Sequence, residues 1–296
     1  MEGISAYVDP KDAQRGTEAA HEIFSRFTQE KYPTNIPLNR KNPLTAILES
    51  MVDKSPDRLL PYSKFMNTSL FHPEFGYYTR NVKLGIEDDF STYPELLPSF
   101  GGHVGQSLLN VWIAMDTPSK FQIVEMGAGK GGLAESLLNW AKKVHPDFYQ
   151  AIQYQIVEQS PKLIQTQKKR LKAFNGTEIF PGNEVNQDKV EWIEGSAIDL
   201  KASGIKGIEG AIISNELPDT FPVERVIRAP DGKIKQKYVT IENGGWVEVW
   251  RDPSPEVTEY IKKYDYWIWG DIEEPINLAA AIWQRNINSA LKRGAL

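Results

Sequence analysis

The chain contains no cysteine. Disulfides, thiolate nucleophiles and cysteine metal sites are therefore excluded. Histidine is scarce: His21, His72, His103 and His145 are scattered without ligand spacing. A histidine-rich zinc site is thus not expected, and no metal is assigned, although carboxylate-held metal stays open. No apolar run approaches the roughly 18 residues of a membrane span. The N-terminus lacks the apolar core of a signal peptide. Positive charge is not in excess, and a net charge of −5 argues against a nucleic-acid binder. The expectation is a cytoplasmic protein without a membrane span, an organellar location being left open.

What is present is a chain of 296 residues that is 41% hydrophobic. That suffices for one large domain, or a domain with an added subdomain. Five of the eight tryptophans fall late, at 246, 250, 267, 269 and 283, and are read first as core.

The most informative segment is Ile123-Val124-Glu125-Met126-Gly127-Ala128-Gly129-Lys130-Gly131-Gly132. An apolar run enters a glycine-dense turn, and an amphipathic stretch follows. The pattern predicts strand, tight turn, helix. Glycines there permit dihedrals closed to other residues and let a ligand approach the backbone. The rhythm continues with a helix over about 132–144, a strand over Tyr154–Glu158, a helix opened by Ser160-Pro161, and strands at Val190–Glu194 and Ala211–Ser214. This alternation predicts a parallel sheet with helices on both faces.

Flanking segments are read more simply. Residues 1–116 are expected to form an N-terminal helical or lid region. It carries helices over about 17–28, 44–52 and 100–115, a helix then a turn over 60–76, and an acidic loop over 89–98. Residues 117–296 form the α/β core. Within the core, residues 223–250 read as three antiparallel strands joined at Asp231-Gly232 and Asn243-Gly244. Helices are expected over about 255–264 and 276–291, and a glycine- and asparagine-rich link over 175–188.

The glycine loop is not a Walker motif, since no Gly-Lys-Ser/Thr closes it. Gly127, Gly129 and Gly132 have dinucleotide-fingerprint spacing, but Glu125 stands two residues before the first of them. A carboxylate there disfavours a pyrophosphate and suits a ligand with a cationic centre. That favours S-adenosyl-L-methionine over NAD. Glu158, at the end of the second strand, is a candidate for ribose hydroxyls. Asp199 is a candidate for an adenine edge, or a helix cap. Ala128, Gln159, Asn215, Thr92 and Glu95 complete the candidate cofactor set. The loop Asn215-Glu216-Leu217-Pro218-Asp219 follows a strand end, where open α/β sheets bind ligands. Glu216 and Asp219 are the leading candidates to position an amine or accept a proton. Asp89 and His72 are further candidate bases; His72 can equally hold a loop.

Taken in order, several segments resemble the MidA-like (DUF185) family of S-adenosylmethionine-dependent methyltransferases. They are Phe65-Met66 through Leu70, Gly76-Tyr77-Tyr78, Asp89-Phe90-Ser91-Thr92-Tyr93-Pro94-Glu95, Val124 through Gly131, Val157 through Leu163, and Asn215 through Val223. The resemblance implies a Rossmann-like class I core with added helices. It implies that Gly127 and Gly129 hold the methionine part of the cofactor and Glu158 the ribose. The loop from Asp89 to Glu95 would cover the site, and Asn215, Glu216 and Asp219 would line the substrate side. The family's mitochondrial member is an assembly factor linked to symmetric dimethylation of an arginine in a respiratory complex I subunit.

The chain departs from the family pattern at Asp88, Tyr93, Leu217, Pro218, Thr220 and Phe221, all around the acceptor side. The acceptor is therefore expected to be either a protein arginine or a biosynthetic carbon or oxygen. The latter could be on a small molecule or a carrier-bound acyl chain, as in natural-product or polyketide synthesis. Residues 289–296 read as a helix end and turn before a missing fifth strand. That suggests a truncated piece with neighbouring domains in a longer polypeptide. A non-catalytic assembly or scaffolding protein that retains the cofactor fold is the alternative.

Overall fold

A computed structural model describes residues 35–80, 92–97, 99–180, 183–186, 188–200, 203–270 and 272–296. The helix expected over 17–28 lies outside the described residues, as do Asp88 and Asp89.

Strand β1 (Ile36–Pro37) leads into helix α1 (Pro43–Lys54). Asn42 caps α1 by accepting from the Leu44 N–H, with proline at the first helical position. Then come β2 (Leu60–Pro61), α2 (Tyr62–Phe71), the single turn α3 (Tyr77–Arg80), α4 (Tyr93–Leu96) and α5 (Ser99–Ala114). The core begins with β3 (Phe121–Met126) and α6 (Gly132–Val144), then α7 (Pro146–Ala151), β4 (Ile152–Glu158) and α8 (Pro161–Arg170). Ser160 caps α8 by accepting from the Leu163 N–H. A hairpin of β5 (Thr177–Phe180) and β6 (Asn183–Asn186) precedes β7 (Val190–Glu194) and β8 (Ile208–Ser214). The chain continues through β9 (Glu224–Arg228), β10 (Ile234–Glu242), β11 (Gly245–Arg251), α9 (Pro255–Lys263), β12 (Glu274–Ile276), α10 (Leu278–Ala290) and β13 (Leu291–Ala295).

Five strands form a parallel sheet in the order β13-β8-β3-β4-β7. Successive side chains on a strand face opposite ways, so β3 and β4 feed two cores. Ile123, Tyr154 and Ile156 pack with Leu108, Leu137 and Phe148 on one face. Val124, Met126 and Val157 pack with Ile212, Trp283 and Ile287 on the other. Both strands are covered on both faces, which is why Ile123–Val124 and Ile156–Val157 are consecutive buried apolar residues. The chain winds from β3 out to β7, then returns to β8 on the other side of β3. That reversal opens a crevice at the carboxyl ends of β3 and β8. The result is the expected Rossmann-like class I core.

A second sheet is antiparallel, in the order β1-β11-β10-β9-β12, with β2 also on β10. The three strands expected over 223–250 are present. They recruit three more, β1 and β2 from the N-terminal part and β12 from later in the chain. Asn243 (φ 50°) and Gly244 (φ 73°) form the tight turn between β10 and β11, the left-handed pair such a hairpin requires. The described part of residues 1–116 therefore divides. Its first half joins the second sheet, whereas α5 packs on α6. A side chain on Gly105 would meet the Trp140 ring at 2.5 Å, so the small residue sets the closeness of that helix pair.

Several expectations are corrected. The link over 175–188 carries the β5–β6 hairpin, and the loop over 89–98 contains α4. Trp267 and Trp269 are not core: each is 64% exposed, and they meet edge-to-face. The tail begins as the expected helix end, with Ser289 and Ala290 closing α10, but no turn follows. Leu291–Ala295 forms a strand where a turn was expected, pairing parallel to β8 with Gly294 opposite Gly210. Its Lys-Arg-Gly centre hides the apolar pattern because the strand is an edge, where charge is tolerated. Gly294 has φ 132°, and a Cβ there would collide with the Gly210 carbonyl.

Gly294→Ala is accordingly expected to lower stability by roughly 2 kcal/mol. Lys292→Ala, which removes only an exposed partner of Glu209, should leave the urea midpoint nearly unchanged. Equal midpoints for both variants would argue against β13.

Candidate functional site

A cavity of about 430 Å³ occupies the crevice. Its floor is the glycine loop, Gly127 to Lys130, together with Glu125. Gly127 has φ 70°, and a Cβ there would meet Leu217 Cδ1 at 2.8 Å. Both the dihedral and the space thus require glycine. Its N–H donates to the Val157 carbonyl at 3.1 Å, which ties the loop to the end of β4.

Two strand-end carboxylates flank the loop. Glu125 is 2% exposed and accepts the Tyr154 hydroxyl at 2.7 Å. Burial pushes Glu125 up to about 7, the Tyr154 hydrogen bond opposes this, and the charge of Glu158 adds to it. Burial also drives the Tyr154 phenol well above its usual value, with Glu125 reinforcing it. Glu158 is 6% exposed. Its Oε1 accepts from the Ser160 N–H at 2.9 Å and its Oε2 from Gln167 Nε2 at 3.3 Å. Burial raises the Glu158 carboxyl despite hydrogen bonds from Ser160, Gln167 and the Gln159 backbone.

The roof is α4. Thr92, Pro94 and Glu95 face the cavity, and Arg170 Nη1 holds Glu95 at 2.7 Å while its Nε holds Glu135 at 2.7 Å. The loop after β8 forms one side. Glu216 sits there at φ 49°, a left-handed conformation uncommon outside glycine and concentrated at functional sites. Asp219 lies in the following turn, which Asn277 Nδ2 anchors by donating to the Pro218 carbonyl at 2.9 Å. The far wall comes from α2 and α3: Met66, Asn67, Leu70, Phe71 and Tyr78. Ser160 Oγ donates to the Tyr78 carbonyl and Lys162 Nζ to that of Arg80, fastening α3 to the start of α8. Burial raises the Tyr78 phenol, with Asp219 and then Tyr77 adding to it.

Among the described lining residues the carboxyl groups are Glu95, Glu125, Glu158, Glu216 and Asp219, against one lysine, Lys130. Such a cavity suits a cationic ligand. The sequence candidates Thr92, Glu95, Glu125, Gly127, Ala128, Gly129, Glu158, Gln159, Asn215, Glu216 and Asp219 all line it. Asp199 does not; Gly195, Ser196, Ala197 and Ile198 stand there instead, and the Asp199 N–H turns back to the Ser196 carbonyl. His72 is outside the lining. Its Nδ1 accepts from the N–H groups of Glu74 and Phe75 at 3.3 Å, so it holds the turn. Asp89 lies outside the described residues. The reading of single motifs missed the α2–α3 wall. Its one signal is the i, i+4 pair Met66 and Leu70, which places two apolar side chains on one helix face.

A family model described as "Putative S-adenosyl-L-methionine-dependent methyltransferase" matches residues 103–296, well over half of the chain. The chain belongs to this MidA-like (DUF185) methyltransferase family. Among relatives of MidA-like type, the protein arginine methyltransferase NDUFAF7 homolog, mitochondrial, of Drosophila melanogaster is 39% identical over 113 residues. The match covers 38% of this chain and 25% of that protein. The Danio rerio NDUFAF7 protein is 29% identical over 198 residues, covering 66% and 43%. The human one is 25% identical over 240 residues, covering 75% and 48%. The chain thus spans a quarter to about half of the length of these relatives. A Burkholderia thailandensis structure solved with bound S-adenosyl-homocysteine aligns with a TM-score of 0.68 at 25% identity, over 87% of this chain and 62% of that one.

The buried carboxyls generate a pH prediction. Folded Glu125 keeps a proton that the unfolded chain releases between 4.5 and about 7. The folded state then binds more protons, so stability falls as pH rises through that window; Glu158 acts in the same direction. The ligand-free melting temperature should decline across the window, and Glu125→Gln, which keeps an acceptor for Tyr154, should flatten the decline. A variant with an unaltered pH profile would disprove the linkage.

Proposed function

We propose that this chain binds S-adenosylmethionine in the crevice and uses it to methylate a nitrogen of a protein arginine. The observation that carries the donor half is the pairing of the Gly127–Gly129 loop with Glu158 at the strand-order reversal, in a cavity rich in carboxylates. The bound S-adenosyl-homocysteine of the Burkholderia structure and the family match support the same ligand. In this reading Glu125 faces the amino group of the methionine part, and Glu158 the ribose hydroxyls. Gln159 and Asn215 lie alongside.

The donor supplies a sulfonium methyl that is open to in-line attack. As the new nitrogen–carbon bond forms and the sulfur–carbon bond breaks, the acceptor nitrogen loses a proton. The protein's part is alignment and exclusion of water. In this reading Glu216 and Asp219 orient a guanidinium through charge-assisted hydrogen bonds, and Asp219 takes the proton. Tyr78, whose phenol feels the Asp219 charge, and Asn67 also line the cavity. The relatives' names, which specify protein arginine, support this acceptor. Their mitochondrial designation favours an organellar over a cytoplasmic location.

A second reading has its own observation. Met66, Leu70, Phe71, Leu217 and Phe221 give the cavity an apolar part of its lining, which suits an acyl or small-molecule acceptor methylated at carbon or oxygen.

Calorimetric titration with S-adenosyl-homocysteine, with NAD as control, tests the donor site. Selective binding that is lost in Gly127→Val is expected; NAD preference, or no binding by the folded chain, would overturn it and leave a scaffolding role. With arginine peptides and radiolabelled donor, Asp219→Asn should lower turnover about a hundredfold while S-adenosyl-homocysteine affinity stays close to wild type. Transfer to acyl or small-molecule acceptors alone would establish the second reading.

A further inference from the structure

Behind the cavity wall, Gln167 of α8 is completely buried. Its Nε2 donates to the Gly129 carbonyl at 2.8 Å and to Glu158 Oε2 at 3.3 Å. Its Oε1 accepts from Trp192 Nε1 of β7 at 3.1 Å. An indole N–H can only donate, so Trp192 dictates which end of the amide faces it. The other end must then present its two N–H groups, and the two acceptors opposite take one each. One side chain thus joins the glycine loop after β3, the carboxylate ending β4, and β7. Both of its N–H donors are thereby engaged, and its oxygen accepts one bond. Lys168 Nζ lies 5.5 Å from the centre of the Trp192 ring, covering the indole from the surface side.

We infer that Gln167 is a positioning residue of the donor site, setting the separation and orientation of the Gly129 loop and the Glu158 carboxylate, with Trp192 fixing its amide. The inference rests on the donor assignment above. It concerns a group that lies outside the cavity lining. A ligand that spans both elements needs them at one spacing. Glu158 also needs Oε2 turned correctly, since Oε1 is already held by Ser160. Gln167→Met keeps the volume and removes both donors. Gln167→Glu keeps the shape but sets a carboxylate against two acceptors, and regains one donor only when that carboxyl is protonated. Trp192→Phe leaves the amide in place and frees it to flip.

The test is S-adenosyl-homocysteine affinity by calorimetry across pH for the full chain and these three variants, with thermal unfolding alongside. Gln167→Met is expected to weaken binding about tenfold while still unfolding cooperatively. Gln167→Glu should weaken it further at neutral pH and recover as pH falls, a recovery that Gln167→Met lacks. Trp192→Phe should weaken it by a smaller factor. A role in packing alone would lower the melting temperature without this difference in pH profile. Wild-type affinity in Gln167→Met, or in Trp192→Phe should the Gln167 variants fail to fold, would overturn the inference while leaving the donor site intact. Failure of the wild-type chain itself to bind would overturn both.

Discussion

Two carboxyl groups, Glu125 and Glu158, end neighbouring parallel strands in almost complete burial. Among the described residues neither forms an ion pair. Removing a carboxylate from water is costly unless hydrogen bonds replace the lost hydration. Much of the surrounding structure supplies that replacement. Tyr154, one strand over, reaches Glu125; the start of α8 gives Glu158 a backbone N–H; Gln167 gives it a side-chain donor. The compensation is incomplete, so both groups stay raised and poised to ionise against a cation. A site with this unmet demand for positive charge matches a sulfonium ligand that also carries an ammonium group.

The second sheet serves the same crevice from the other side. Its strand β9 presents Glu224, which accepts from both the backbone N–H and the hydroxyl of Ser63 at the start of α2. A carboxylate at a helix N-terminus satisfies donors that the helix leaves open. It thereby holds α2 so that Met66, Asn67 and Leu70 face the cavity. Lys237 of β10 is also buried, bridging Glu248 and Glu273 beside the rings of Tyr62 and Trp250. The antiparallel sheet thus supports the α2 wall of the cavity, while the parallel sheet supports the glycine-loop floor. The departures from the family pattern at Leu217, Pro218 and Phe221 lie where the two meet.

Local pattern made much of this readable. Apolar runs, a glycine-dense turn and a serine–proline helix start announce β3, its loop, β4 and α8 over spans of a few residues. The cofactor-side candidates follow because they sit at the ends of those strands. Readings failed where burial depends on distant partners. Trp267 and Trp269 are apolar yet exposed: they meet each other, and among the described residues the Arg228 guanidinium lies over the Trp267 ring. Of the two roles open to His72, the backbone N–H groups of Glu74 and Phe75 at its Nδ1 favour the loop brace. β13 lacks an apolar pattern because it is an edge strand, and β5, β6 and β12 are too short to show a period.

Residue order alone therefore specified the α/β class, the strand–loop–helix that could hold a nucleoside ligand, and the carboxylates beside it, because each arises from neighbours within a turn or a strand. Tertiary packing decided which candidates share one cavity. It joins Tyr154 to Glu125 across 29 positions, Ser160 to Tyr78 across 82, and Ser63 to Glu224 across 161. Hydrogen bonds at such separations leave no period in the sequence, because their partners are chosen by the path of the chain through space.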